Sequence, residues 1–197
     1  ALKESTNTNQ MTKKYKCLKE KKYVKNNIFI QAISPKDIEM IRSWRNKQIE
    51  ILRQNKKISK KNQLDYFKNH VWKIMSKKHP EQILFSILEN KILLGYGGLT
   101  NISWKNKRAE ISFLLDTKLV SQKKLYDFYF TEFLNLIKKI AFHELKLKKL
   151  FTETFSFRKF HLSILIKNDF KQEGLLKKHI LYKNKSYDSY MHGIIKR

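Results

Sequence analysis

From Ile28 to the C-terminus, apolar residues alternate or recur at helical spacing in a run of short blocks. Read with the two periods of strand and helix, the blocks give the order β-α-α-β-β-β-α-β-α-β-β, which few folds accommodate. Ile28-Phe-Ile-Gln-Ala-Ile33 predicts a strand. In Ser34-Pro35-Lys36-Asp37, Ser34 suits a helix cap, Pro35 the first helical position and Asp37 the positive helix end, so a helix is predicted to about Asn46. Ser59 opens a second helix carrying Leu64, Phe67, Val71, Trp72 and Met75, and His79-Pro80 closes it. Residues 82–89 and 92–102 flank the hairpin signal Asn90-Lys91, and 109–116 completes a three-strand meander. A long helix over 125–145, a strand over 150–155 and a helix over 158–168 follow. The chain then ends in a hairpin, 170–182 and 186–195 around Asn184-Lys185, with Gly174 at a bulge. Gly95, Gly97 and Gly98 lack a phosphate-loop context and predict a bulge or close packing within a strand.

The 197 residues suit one domain, and 41% apolar residues suffice for a core. Residues 1–27 carry eight Lys and two Glu without sustained periodicity, so they are read as a basic, mobile arm before a domain spanning 28–197. The arm has no apolar block, the single Cys17 offers no internal disulfide, and no apolar run approaches the roughly 18 residues that span a bilayer. A cytoplasmic protein without membrane insertion is therefore expected. The formal charge of +26 invites RNA or a ribonucleoprotein as partner, because lysines that neutralise phosphate release counterions. AT-rich coding produces the same bias: Ala, Gly and Pro total only 11 residues while Lys, Asn, Ile and Phe abound. Charge alone therefore does not name a partner. The scattered histidines, with Cys17 in the arm, give no metal-ligand spacing, so no metal is expected.

Three strings within this order carry a resemblance. They are Ile41-Arg-Ser-Trp-Arg-Asn46 at the end of the first helix, Leu94-Gly-Tyr-Gly-Gly-Leu99 in the third strand, and Ala109-Glu-Ile-Ser-Phe-Leu-Leu115 in the fourth. Together with Ile140-Ala-Phe142 they resemble the GNAT superfamily of N-acetyltransferases, and in detail its ribosomal-protein and nucleotide-sugar branch. The resemblance implies an α/β (α+β) fold, with a mixed, mostly antiparallel twisted sheet of about seven strands flanked by about four helices. It also implies acetyl-coenzyme A as co-substrate, bound where the fourth and fifth strands splay, with backbone groups of Phe113, Leu114 and Leu115 meeting the pantetheine.

The superfamily's pyrophosphate loop, Q/R-x-x-G-x-G/A, is not matched. One register, Gln122-Lys-Lys-Leu-Tyr-Asp127, puts Leu125 and Asp127 at the small positions; counting back from Phe142 puts Phe128 and Phe130 there. Lys118, Lys123 and Lys124 are the candidates to hold phosphate by charge instead. By the same resemblance Arg158 takes the place of an Asn at the coenzyme, and His161 that of a Ser that serves as the acid. A histidine titrates near neutrality and suits that role. Glu110 stands where relatives carry a functional carboxylate and is the candidate base. Glu153 on the neighbouring strand is a further carboxylate, and Trp44, Arg45, Asn46 and Arg53 fall where relatives bind the acceptor.

These readings predict acetyl transfer to a primary amine, such as an amino sugar or nucleotide-linked amino sugar, with a homodimer as one assembly compatible with the sequence. A second reading is a catalytically silent basic module that binds RNA, and a third is acetylation of a protein N-terminus or an aminoacyl-tRNA.

Overall fold

The structure, a computed structural model, describes residues 13–197. Among these residues eight strands form one sheet. In chain order the elements are β1 (Lys22–Lys25), β2 (Ile28–Ala32), α1 (Ile38–Lys47), α2 (Lys60–Tyr66), α3 (Trp72–Ile74), β3 (Ile83–Glu89), β4 (Ile92–Ser103), β5 (Arg108–Leu115), α4 (Thr117–Val120), α5 (Lys123–Lys139), β6 (Lys149–Phe155), α6 (Lys159–Lys167), β7 (Lys171–Tyr182) and β8 (Lys185–Ile195). The strand order is β1-β2-β3-β4-β5-β6-β8-β7, and only β5 and β6 run parallel. This is the predicted α+β GNAT architecture with one strand more than expected. Among the described residues no helix is long and apolar enough to cross a membrane.

The additional strand corrects the reading of the N-terminal arm. Residues 1–12 lie outside the described residues, but 13–27 are built into the fold. Lys22-Tyr-Val-Lys25 pairs antiparallel with β2, and Tyr15 and Leu18 are buried in the core. Only Tyr23 of β1 turns inward, so an edge strand flanked by lysines shows no alternation to read. Tyr15 also closes a backbone account: its hydroxyl accepts from the Leu84 amide at 2.9 Å, while the Lys16 amide donates to Met75 O at 2.8 Å. Tyr15→Phe leaves that buried amide unpaired and is expected to cost about 1–3 kcal/mol, read as a lower urea midpoint with an unchanged slope.

The Asn90-Lys91 turn and the Ser59 cap form as predicted, while the first helix cap and the terminal turn shift. Asn90 and Lys91 both take positive φ, as a two-residue hairpin turn requires. The terminal turn is Lys183-Asn184, one residue before the predicted pair. Ser59 Oγ accepts from the Asn62 amide at the start of α2. At α1 the cap is Asp37 rather than Ser34. Its buried carboxylate accepts from the Ser34 amide and hydroxyl and from Ser86 Oγ, tying the helix start to the middle of β3. The long helix begins at Lys123 and unwinds through a π turn, Ile140–Glu144, where a straight continuation to 145 was predicted. Gly174 sits at a register shift between β7 and β8, the predicted bulge.

Two faces of the sheet position the site. Phe113 of β5 stacks on Phe130 and packs at a tilt against Phe133 of α5, so the odd residues of β5 face that helix. Glu110 turns the other way, to Arg53 in the segment joining α1 and α2.

Candidate active site in the strand wedge

The parallel pairing of β5 with β6 lasts three residues, ending at Glu110 opposite Phe151; beyond that the strands diverge. The register of the other edge decides what faces the gap. Asp116 donates its amide to Leu94 O, which makes 116, 114, 112 and 110 the residues bonded to β4 and turns the amides and carbonyls of 111, 113 and 115 toward β6. Thr152 Oγ1 reaches Ile111 O at 3.4 Å, and buried Gln48 donates to Leu115 O at 2.8 Å. Between them no side chain among the described residues bonds to the amide or carbonyl of Phe113. One donor and one acceptor therefore face an open wedge, where a cavity of about 280 Å³ is lined by Arg53, Glu110, Phe113, Glu153, Arg158 and His161 among others.

On the α5 and α6 side, buried His161 stacks on Phe130 with ring centroids 4.2 Å apart. Its Nδ1 lies 2.8 Å from the Tyr126 hydroxyl and 3.3 Å from Arg158 Nη2, and Arg158 also donates to the Tyr126 oxygen at 3.2 Å. Guanidinium can only donate, so Nδ1 is the acceptor, Tyr126 donates to it, and the ring proton is assigned to Nε2. Burial, followed by the charge of Arg158 and then His192, holds the His161 pKa well below its usual 6.5. Burial lowers His192 as well. The site thus contains a neutral imidazole oriented by a phenol and a guanidinium.

That arrangement makes the fold acid-sensitive. Below the ordinary histidine pKa of about 6.5 the unfolded chain binds protons at both rings that the folded chain refuses, so stability is full above that pH and declines below it. The expected slope is up to about 1.4 kcal/mol per pH unit for each ring, measured by urea unfolding between about pH 7 and pH 5. A His161→Gln variant should show a flatter profile, and an unchanged slope would remove His161 from the account.

On the α1 and α2 side, Glu110 is 4% exposed, accepts from Asn101 Nδ2 at 2.6 Å and pairs with Arg53 Nη2 at 2.5 Å. Glu153 accepts from buried Ser189 Oγ at 2.7 Å and lies 3.5 Å from Arg53 Nη1. Arg53 is thus a bridge between two carboxylates on adjacent strands. Its own side chain is 57% exposed, so the bridge is made by a residue able to leave it.

Other predicted site residues lie elsewhere. Trp44 is 2% exposed and shares with Ile38 and Ile41 the core-facing stripe of α1, so it does not meet an acceptor. Asn46 pins the loop before α2: its Oδ1 accepts from the Ile58 amide and Gln54, and its Nδ2 donates to Ile58 O. Leu114 is buried and bonded to β4, and the Leu115 carbonyl is already occupied by Gln48. Lys118, Gln122, Lys123 and Lys124 are exposed at the α4–α5 junction and do not line the cavity. Gln122 is the residue before α5, with its side chain on Lys118 O, so the first register places the missing glycines at the helix start. The second register fails structurally, because Phe128 and Phe130 lie inside the helix and Phe130 is packed in the core. Arg45, Arg53, Glu110, Phe113, Glu153, Arg158 and His161 do line one cavity.

Sequence reasoning missed Tyr126, Gln48 and Asn101. Tyr126 shares a helical stripe with Phe130 and Phe133 that marks it as inward-facing, but nothing in that stripe names His161 as its partner.

The acetyltransferase (GNAT) domain family matches residues 30–191, and the chain belongs to that family. It is an enzyme of the GNAT type. No curated protein matches it by sequence. Among solved structures it is similar to spermidine N-acetyltransferase from Vibrio cholerae in complex with CoA and spermine, with TM-score 0.74 and 15% identity over 86% of this chain and 95% of that one. It is also similar to the dodecameric form of that enzyme in an intermediate state, with TM-score 0.73 and 15% identity over 86% and 94%. At such identity the likeness is one of fold. These structures do not single out the ribosomal-protein and nucleotide-sugar branch that the sequence resembles.

Proposed function

We propose that the protein transfers an acetyl group from acetyl-coenzyme A to the primary amine of an amino sugar or a nucleotide-linked amino sugar. The observation that carries the reading is the unpaired backbone of Phe113 in the wedge. The carbonyl fits an N–H of the coenzyme's amide-bearing arm as it would fit a neighbouring strand, and the amide is left for the thioester oxygen. Arg158, at the start of α6, has no carboxylate partner among the described residues and lies 3.3 Å from His161 Nδ1, so its charge stands at the thioester end of the wedge, where it favours the departing thiolate.

In this reading Glu110 accepts the proton of the attacking amine, directly or through one water. The Phe113 amide donates to the thioester oxygen as that oxygen gains charge, an interaction fixed in advance by the sheet. His161, protonated at Nε2 and held from behind by Tyr126, donates a hydrogen bond to the departing sulfur, and the proton released by the amine to Glu110 balances the one the thiolate takes up as it leaves. Glu153 supports the amine as a second carboxylate. The same pair favours a polyamine as alternative acceptor, the class with which a structural neighbour was crystallised.

The test is release of free coenzyme thiol from acetyl-coenzyme A with glucosamine and with spermidine. Turnover above hydrolysis with either supports acetyl transfer. No release, with no thermal stabilisation by millimolar acetyl-coenzyme A, would overturn it.

A further inference from the structure

A second cavity of about 330 Å³ lies between α1, α2 and the sheet, and meets the wedge cavity at three shared residues, Arg45, Thr100 and Ser112. Arg45 is the cation at this junction. Its Nε donates to Gln54 Oε1 at 3.0 Å and its Nη1 to the Tyr96 hydroxyl at 2.8 Å. Both partners are neutral, and among the described residues no carboxylate lies within ion-pair distance of it. Arg53, by contrast, is balanced by two carboxylates and Arg42 by Glu39. Of its five N–H donors Arg45 uses two, so three remain. The hydroxyls of Thr100 and Ser112 have no hydrogen-bond partner among the described residues and line the same two cavities. A fixed, unbalanced guanidinium beside two free hydroxyls is suited to an oxyanion and poorly suited to a second cation.

We infer that the acceptor carries an oxyanion group, phosphate or carboxylate, and that Arg45 with Thr100 and Ser112 binds it while the amine lies at Glu110. The inference rests on the acetyl-transfer reading and deepens it. Geometry limits the acceptor further. Thr100 faces Glu110 across the β4–β5 pair, and Ser112 lies two residues along β5 from Glu110, about 7 Å at strand rise. Amine and oxyanion must therefore stand several bonds apart, as in a hexosamine phosphate. An α-amino acid, with one carbon between them, is too short. A polyamine would place a cation against Arg45.

The experiment compares kcat/KM for glucosamine 6-phosphate, glucosamine, glycine and spermidine. The phosphate ester is expected to exceed glucosamine by about tenfold or more, the scale of one charge-assisted hydrogen bond. Arg45→Gln should bring the two within about threefold, and Arg45→Lys should restore part of the difference. Thermal melting of both variants shows whether they fold. Equal use of ester and parent, preference for glycine or spermidine, or a preference that survives in a folded Arg45→Gln protein would overturn the assignment. If none of the four is acetylated, the acetyl-transfer reading fails by itself, and calorimetry with the two sugars alone decides the subsite. Tighter binding of the ester that is lost in Arg45→Gln sustains it, and equal binding sinks it.

Discussion

Glu110→Gln is expected to lower kcat/KM for acetyl transfer by roughly a hundredfold to ten-thousandfold, the range of a positioned general base, while the protein melts within a few degrees of the parent. Glutamine matches the shape of glutamate, and its amide can still present an oxygen to Asn101 Nδ2, so the strand and the α1–α2 segment keep their contacts. What disappears is the charge that takes the amine's proton and half of the bridge to Arg53. The loss should fall on kcat as well as KM, which a merely structural carboxylate would not produce. Glu153→Gln should act differently. Glu153 is bound to Ser189 and stands one strand away, so its loss is expected to raise KM by about tenfold at most and leave kcat in place. If the two variants behave alike, Glu110 has no separate role as base.

Gly98→Ala is expected to destabilise the fold by about 3 kcal/mol or more, the upper range for overpacking a rigid site. An added Cβ would stand 1.9 Å from Ile83 O, a backbone atom in the middle of the sheet, at φ +152°. Neither β3 nor β4 can yield without breaking the ladder that fixes which β5 groups face the wedge. With total stability of roughly 5–15 kcal/mol, much of the native population is at stake, and the wedge should be lost with it. Gly174→Ala is the matched control, because its Cβ would meet only Met191 at ordinary contact distance, 3.7 Å. Urea unfolding should show a large drop for the first and a change of about 0.5 kcal/mol or less for the second. A Gly98→Ala protein as stable as the parent would mean that strands β3 and β4 do not approach as described.

The order of elements was legible because each helix and strand of the domain carries its own periodicity: the Asn90-Lys91 turn, the Ser59 cap and the Gly174 bulge are local chemistry that needs no tertiary knowledge. β1 was not legible, since one buried tyrosine among lysines makes no pattern, and Tyr15 is recognisable only once Leu84 is seen to need an acceptor. The site divides similarly. Glu110, Arg53, Glu153, Arg158 and His161 come from separate parts of the chain, and it is family resemblance, not spacing, that named them together. Trp44 was misread because an aromatic on an amphipathic helix looks the same from the sequence whether it faces core or ligand. The Tyr126 phenol behind His161 depends on how α5 and α6 cross, which no local pattern encodes.

A crystal structure of the protein grown with acetyl-coenzyme A puts the central claim to its most direct test. The pantetheine arm is expected along β5, with the Phe113 carbonyl hydrogen-bonded to it, the Phe113 amide on the thioester oxygen and Arg158 beside the sulfur. A wedge that stays empty at millimolar coenzyme, with Phe130 still stacked between Phe113 and His161 and the Phe113 amide unbonded, would contradict it.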